Sequence, residues 1–224
     1  MSKVIAIDGP AGVGKGTIAK KLAKDFNFIT IDTGATYRCV TVAIVDSKIE
    51  LNEIEKIKKL LKEIKIDMEL IDNEERIFLN GKDVTTRIRE DEINNMVSPV
   101  SSIKEVREEM VNLQRKLAEG KNVVMEGRDI GTVVFPDADI KIFLDASIEE
   151  RAMRRYNQNQ ETGIDKDLTY EEVYKSIEKR DYIDRNKPIG ALKQADDAIL
   201  VDTTGRSFKE NLKRVEDIIK ERIC

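Results

Sequence analysis

The 224-residue chain contains no histidine. Serine–histidine nucleophilic catalysis and an imidazole zinc site are thereby excluded, and any proton acceptor must be a carboxylate or nothing at all. Its two cysteines, Cys39 and Cys224, stand far apart without metal-ligand spacing, so reduced thiols in a cytoplasm are expected. No apolar run approaches the length that spans a bilayer, and the N-terminus reads as a strand with no secretory pattern. An excess of positive charge is missing too, since 39 lysines and arginines face 43 aspartates and glutamates for a net charge of −4. Nothing therefore draws the chain to nucleic acid or an anionic membrane in general, and an anion site must come from local arginine clustering. The sequence also lacks internal repeats and low-complexity tracts. What it does have is 40% hydrophobic residues, enough for one α/β domain with insertions or two small domains.

Against that background one stretch stands out. Asp8-Gly9-Pro10-Ala11-Gly12-Val13-Gly14-Lys15-Gly16-Thr17 follows the apolar run Val4–Ile7 and precedes a helical pattern. Strand, glycine-rich turn, lysine and helix are the order a phosphate-binding loop needs. Gly9, Gly12 and Gly14 let the backbone turn its N–H groups inward, and the positive end of the following helix adds to them. Lys15 can reach the β- and γ-phosphates of a nucleoside triphosphate, and Thr17 offers a hydroxyl to Mg²⁺, directly or through water. Gly16 occupies the position where many such loops carry the hydroxyl.

Four further apolar runs read as strands: Phe28–Ile31, Asn122–Met125, Ile140–Leu144 and Ala198–Val201. Alternating with helices, the five predict a five-stranded parallel sheet with helices on both faces. Helices are expected over about 35–46, 51–64 and 103–119, and a last one opens on the Ser207/Glu210 capping-box spacing and buries Phe208, Leu212, Val215 and Ile219. Residues 66–84 alternate in polarity around Asn80-Gly81 and predict a small antiparallel insert.

In such a sheet ligands bind beyond the C-terminal strand ends. The second and third strands run into Thr33-Gly34-Ala35-Thr36-Tyr37-Arg38 and Gly127-Arg128-Asp129, where Arg38 and Arg128 can clamp a second phosphate and Asp129 can accept from an amine or hydroxyl. An Arg–Asp pair tying loops together is the plainer alternative. Arg151, Arg154 and Arg155 fall at i, i+3 and i+4, so they can face a polyanion from one side, and the polar stretch 157–163 after them suits a mobile flap. A solvated charged face is the alternative there. Arg180, Asp181, Asp184 and Arg185 form another dense set, in which an Arg180–Asp184 ion pair competes with ligand contact.

Taken together, the motifs at 7–17, 32–38, 127–138 and 141–147 resemble the bacterial cytidylate kinase family over nearly the whole chain. The resemblance implies a single nucleoside monophosphate kinase domain over 1–224, with a monophosphate-binding insert at about 33–100 and an arginine-bearing lid at about 151–168. It implies transfer of the γ-phosphate of ATP, with Mg²⁺, to CMP or dCMP. ATP would lie on Gly9, Pro10, Ala11, Gly12, Val13, Gly14, Lys15, Gly16 and Thr17, with Lys15, Arg151, Arg154 and Arg155 catalytic. Carried over by position, Thr33, Arg107 and Asp129 read cytosine, Arg38 and Arg128 hold the monophosphate, and Ser98, Arg180 and Asp184 meet the ribose, with Tyr37 lining the pocket. Lys187 stands where the family usually has an arginine at the base pocket. A cytoplasmic monomer acting on small molecules, without nucleic acid or membrane, is expected. Another small-molecule kinase of the same fold, such as a uridylate/thymidylate or shikimate kinase, is the alternative that the second-rim motif argues against, and a nucleotide-dependent switch with no second substrate would have little use for arginines on both rims.

Overall fold

The computed structural model describes residues 2–71 and 74–223. Cys224 lies outside them, while Cys39 is a buried free thiol. The chain divides into two compact units, Met1–Asp32 with Gln114–Cys224, and Thr33–Leu113.

The first unit is built on β1 (Val4–Asp8), β2 (Ile29–Asp32), β6 (Val123–Gly127), β7 (Ile140–Asp145) and β8 (Ile199–Asp202), with β3–β5 belonging to the second unit. The strands pair in parallel in the order β2-β6-β1-β7-β8. The central strands β6, β1 and β7 are buried on both faces and read as continuous apolar runs, while the edge strands β2 and β8, with Ile29 and Leu200 half exposed, are still apolar enough to be legible in the sequence. α1 (Lys15–Phe26) and α8 (Phe208–Ile223) pack on the sheet through Ile18, Leu22, Leu212, Val215 and Ile219 against Ile5, Ile7, Val124, Ile142 and Leu144. Each such side chain, when fully buried, contributes about 1.5–3 kcal/mol. Register brings Asp8 level with Gly127, Asp32 with Glu126, and Asp145 with Asp202, so the strands finish on acids along one rim.

Two helices follow β7 on that rim side. α6 (Ile148–Thr162) is capped by Ser147, and α7 (Tyr170–Asn186) by a Thr169/Glu172 capping box. The two pack through Ala152, Val173 and Ile177, with Tyr156, Tyr170 and Tyr174 around them. The polar stretch expected to form a flap is helical up to Thr162, with Asn159 buried and Gly163 ending the helix at φ 73°. Asn and Gln cost a helix only a few tenths of a kcal/mol per residue, so packing beside them decides. The Ser207/Glu210 capping box of α8 is formed reciprocally. Phe208, expected to be buried, is instead 47% exposed, because the buried stripe begins a turn later at Leu212.

The second unit holds α2 (Thr33–Asp46), α3 (Ile54–Glu63), the antiparallel strands β3 (Ile66–Ile71), β4 (Glu74–Leu79) and β5 (Lys82–Asp83), α4 (Asp91–Val100) and most of α5 (Lys104–Ala118). Asn80 and Gly81 adopt φ 51° and 78°, as the tight hairpin between β4 and β5 requires. α4 was not foreseen in the sequence. Its buried stripe, Ile93, Val97 and Val100, is interrupted by Asn, Ser and Pro99, and packing into the core formed with Val40, Ile44, Ile57 and Ile77 overrides their weak helix preference.

The turn from β1 into the phosphate loop is the tightest constraint in the first unit. Gly9 has φ 153°, and a Cβ there would lie 2.2 Å from the backbone oxygen of Leu144 on β7. Neither the loop nor the strand can yield without breaking sheet geometry. Gly9→Ala should lower unfolding stability by about 2 kcal/mol or more, read from the urea midpoint. An unchanged midpoint would show that β7 gives way freely.

Candidate active site

The phosphate loop spans Gly9–Gly14 between β1 and α1, with Gly12 at φ 76° and Gly14 at φ 94° as the N-cap of α1. Left-handed residues at these points aim backbone N–H groups into a concavity that suits an anion. Lys15 is buried and donates from Nζ to the carbonyl of Pro10 at 2.8 Å. Arg151 donates from Nη1 to the carbonyl of Ala11 at 3.1 Å and from Nε to Ala146 at 3.0 Å. Its guanidinium is also ion-paired to Asp181 at 2.6 Å. Burial, then the nearby Arg128, lowers Lys15 from 10.5 to about 7, although Glu126 pulls the other way. A buried ammonium among guanidinium groups is stabilised by any anion that arrives.

Beside the loop, β6 carries Glu126 one residue before its end at Gly127 and runs into Arg128 and Asp129. Glu126 explains Gly16: a Cβ at residue 16 would lie 2.9 Å from Glu126 Oε1, so the carboxylate takes the space a serine or threonine would need. Arg128 donates from Nε to Asp184 Oδ2 at 2.8 Å, and Lys187 Nζ lies 2.8 Å from Asp184 Oδ1. Burial alone would raise the Asp184 carboxyl, but Arg128, Lys187 and Arg180 hold it well below the usual carboxylate range. Burial likewise draws Arg128 down, and Asp184 carries it above its ordinary value. Asp8, at the end of β1, accepts from the amides of Ile130 and Gly131, both at 2.8 Å. Burial pushes its carboxyl up despite those amides and Lys15. Asp129 is buried at the head of a wide turn, Ile130–Val134.

In the second unit, Thr33, Tyr37 and Arg38 sit on the first turns of α2. The carbonyl of Thr33 accepts from Thr36 Oγ1 at 2.8 Å. The Arg107 guanidinium of α5 stacks over the Tyr37 ring at 5.5 Å and donates to Ser101 O at 3.4 Å. Arg38 Nε reaches Asn94 Oδ1 at 3.4 Å, and Asn94 is itself held by the carbonyl of Arg89 at 2.7 Å. Ser98 is buried on α4, its carbonyl accepting from Ser101 and Ser102 hydroxyls. The residues gathered from sequence thus fall into two local groups, one in each unit.

The three arginines of α6 do not share one environment. Arg151 is buried against the phosphate loop, Arg154 donates to Thr203 O at 2.8 Å and Glu150 at 3.2 Å, and Arg155 reaches Gln158 at 3.4 Å. Asp181, seen in the sequence only as one of a charged set, turns out to be the partner of Arg151.

A sequence profile described as cytidylate kinase matches residues 5–221. The cytidylate kinase of Fusobacterium nucleatum subsp. nucleatum is 49% identical over 218 residues, spanning 97% of either chain. That of Leuconostoc mesenteroides subsp. mesenteroides is 49% identical over 219 residues, spanning 98% of this chain and 97% of its own.

The chain belongs to the cytidylate kinase family.

It is thereby an enzyme of the nucleoside monophosphate kinase class. Among solved structures, an uncharacterized protein of Eubacterium ventriosum superposes with a TM-score of 0.55 at 14% identity, covering 99% of this chain and 100% of its own. A Thermus thermophilus protein does so with 0.50 at 17% identity, covering 100% and 98%. These two share the fold. Two residues at the heart of the first unit's cluster, Asp8 and Glu126, had been given no role in the sequence reading. The signal was present, since Asp8 closes β1 and Glu126 stands one residue before the end of β6, but an acid near a strand end declares its partners only once the neighbouring strand is placed.

The Asp184 carboxylate is the counter-charge for two buried cations. Asp184→Asn leaves Arg128 and Lys187 underpaired, and unfolding stability at neutral pH should fall by about 3–5 kcal/mol. The folded carboxyl titrates below the unfolded value of 3.8, so its stabilisation is complete above that value and drains away as pH falls through and below it. The difference between wild type and variant should therefore be largest near neutrality and shrink in acid. Urea titrations at several pH values check this, and a difference independent of pH would sink it.

Proposed function

We propose that the chain transfers the γ-phosphoryl group of ATP to CMP or dCMP, giving ADP and CDP or dCDP. The observation that carries the reading is the pairing of β1 with β6, which sets the phosphate loop with Lys15 and the Arg128 guanidinium at adjacent strand ends. One cation site suits a donor polyphosphate and the other an acceptor phosphate. Membership of the cytidylate kinase family supports cytosine as the acceptor base.

In this reading an acceptor phosphate oxygen forms the new bond to the γ-phosphorus while the bond to the bridging oxygen breaks, its electron pair leaving with ADP. The attacking oxygen is already ionised, so no general base is required, in keeping with a chain that has no histidine. Lys15 and Arg128 neutralise charge that shifts during transfer. Mg²⁺ would arrive with ATP and offset charge on the β- and γ-oxygens. Among the described residues no group of three or more His, Cys, Asp or Glu side chains could hold a metal ion by itself. Thr17, on the first turn of α1, would offer a hydroxyl oxygen, and Glu126 Oε1 lies 2.9 Å from where a Cβ of residue 16 would stand. Arg38 and Arg128 hold the acceptor phosphate, Ser98, Arg180 and Asp184 meet its ribose, and Thr33, Tyr37, Arg107 and Asp129 form the cytosine pocket. Arg154 and Arg155 serve as the mobile cations of the lid, within about 151–168, whereas the burial of Arg151 against Ala11 suits a residue that shapes the phosphate loop.

Release of ADP in the presence of each nucleoside monophosphate in turn tests the reading. CMP and dCMP should be turned over with UMP at least about tenfold poorer, because uracil sets a carbonyl against the Asp129 acceptor. Faster turnover of AMP, GMP or shikimate would end it.

Lys187 supplies a second measurement. An ammonium lacks the planar fork with which a guanidinium holds a base edge. Lys187→Arg should lower the CMP Michaelis constant by up to about tenfold and widen the CMP-to-UMP ratio, equivalent to about 1–2 kcal/mol. Unchanged constants for both acceptors would place Lys187 outside the base pocket, serving only as a partner of Asp184.

A further inference from the structure

The turn after Arg128 and Asp129 is pinned by charged side chains arriving from three other elements. Asp8 of β1 takes the amides of Ile130 and Gly131, one on each carboxylate oxygen, both at 2.8 Å. Arg115 of α5 takes the carbonyls of Val133 and Val134, both at 2.9 Å. Lys141 of β7 donates to the carbonyl of Pro136 and is fixed in turn by Asp197. Of the three, Asp8 alone sits between the two halves of the chemistry. It is the residue immediately before Gly9 and the phosphate loop, and its carboxylate grips the turn immediately after Arg128 and Asp129.

Residue 131 is glycine, which leaves room for the stem of Lys141 beside Asp8. A Cβ there would lie 3.1 Å from Lys141 Cδ and 3.4 Å from Asp8 Oδ2. Asp8 is almost fully buried, at 5% exposure, so water does not compete for its oxygens. Two charge-assisted bonds to consecutive amides fix both distance and orientation, which one bond would not.

We propose that Asp8 is a positioning residue for phosphoryl transfer, setting the Arg128–Asp129 acceptor segment at its working distance from the donor phosphate loop. The inference rests on the functional reading above. It has a signature that charge alone reverses. Deleting a carboxylate from a site for two anions should, electrostatically, tighten both ligands. Loss of positioning loosens the acceptor and leaves the donor alone, because the loop's own shape is held by Gly9 against Leu144 and by Arg151 against Ala11.

Two variants separate these effects. Asp8→Asn keeps one acceptor oxygen but turns an NH₂ group toward the second amide. Asp8→Glu keeps the charge and displaces it by one methylene. Calorimetric titration with ATP alone and CMP alone, with steady-state kinetics beside it, should show CMP binding weakened about tenfold or more in both variants and turnover reduced. ATP affinity should stay within about threefold of wild type, or tighten in Asp8→Asn. If Asp8→Asn does not fold by circular dichroism, Asp8→Glu decides. Wild-type CMP binding in Asp8→Glu would overturn the inference, as would equal losses for ATP and CMP in the folded variants. A wild-type protein that fails to phosphorylate CMP would defeat the functional reading itself, an outcome visible before any variant is made.

Discussion

Lys15 is a buried cation and Arg128 a largely buried one beside it, at the ends of neighbouring strands, and much of the first unit serves to make that tolerable before an anion arrives. Two like charges in a low-dielectric setting repel by several kcal/mol unless counter-charges stand close. Asp184 answers Arg128, with Lys187 sharing the same carboxylate. Asp8 and Glu126 lend Lys15 negative potential without direct pairing, so its ammonium leans on the carbonyl of Pro10. The result is a site in which Asp8 is committed to two backbone amides and Asp184 to two cations, while burial holds Lys15 below its usual range. A polyphosphate supplies what is missing.

Backbone shape is held as firmly as charge. Gly9 packs so closely on Leu144 that the loop cannot shift without β7 shifting, and Gly16 leaves the space that Glu126 fills. Arg151 joins the loop to α6 and, through Asp181, to α7. A helical hairpin with its own small apolar cluster is therefore tied to the phosphate loop by one buried guanidinium. Arg155, further along α6, reaches Gln158 of its own helix, an exposed contact worth little.

The second unit organises its candidate residues by a different principle. Arg107 stacks on Tyr37 and Arg38 leans on Asn94, so an aromatic face and an amide take part in orienting these cations.

How much of this was readable in advance follows from the range of the interactions. Strand runs, the Asn80-Gly81 hairpin, the Ser207 cap and the glycine-lysine order of the phosphate loop depend on neighbours a few residues away, and each stood in the sequence. α4 did not, because its stripe is broken by poor helix formers and only the packing of Ile93 and Val97 into the second core secures it. Residue types also announced the chemistry, since a phosphate loop, arginines on the rim and no histidine leave room for little but phosphoryl transfer. The partnerships within the site were beyond the sequence. Asp8 meets a turn 122 residues away, Arg128 meets a carboxylate 56 residues away, and Arg151 reaches a loop 140 residues back. Local composition determines which groups are available. Strand order and register decide which of them are buried together, and burial is what turns an ordinary charged side chain into one with a fixed partner.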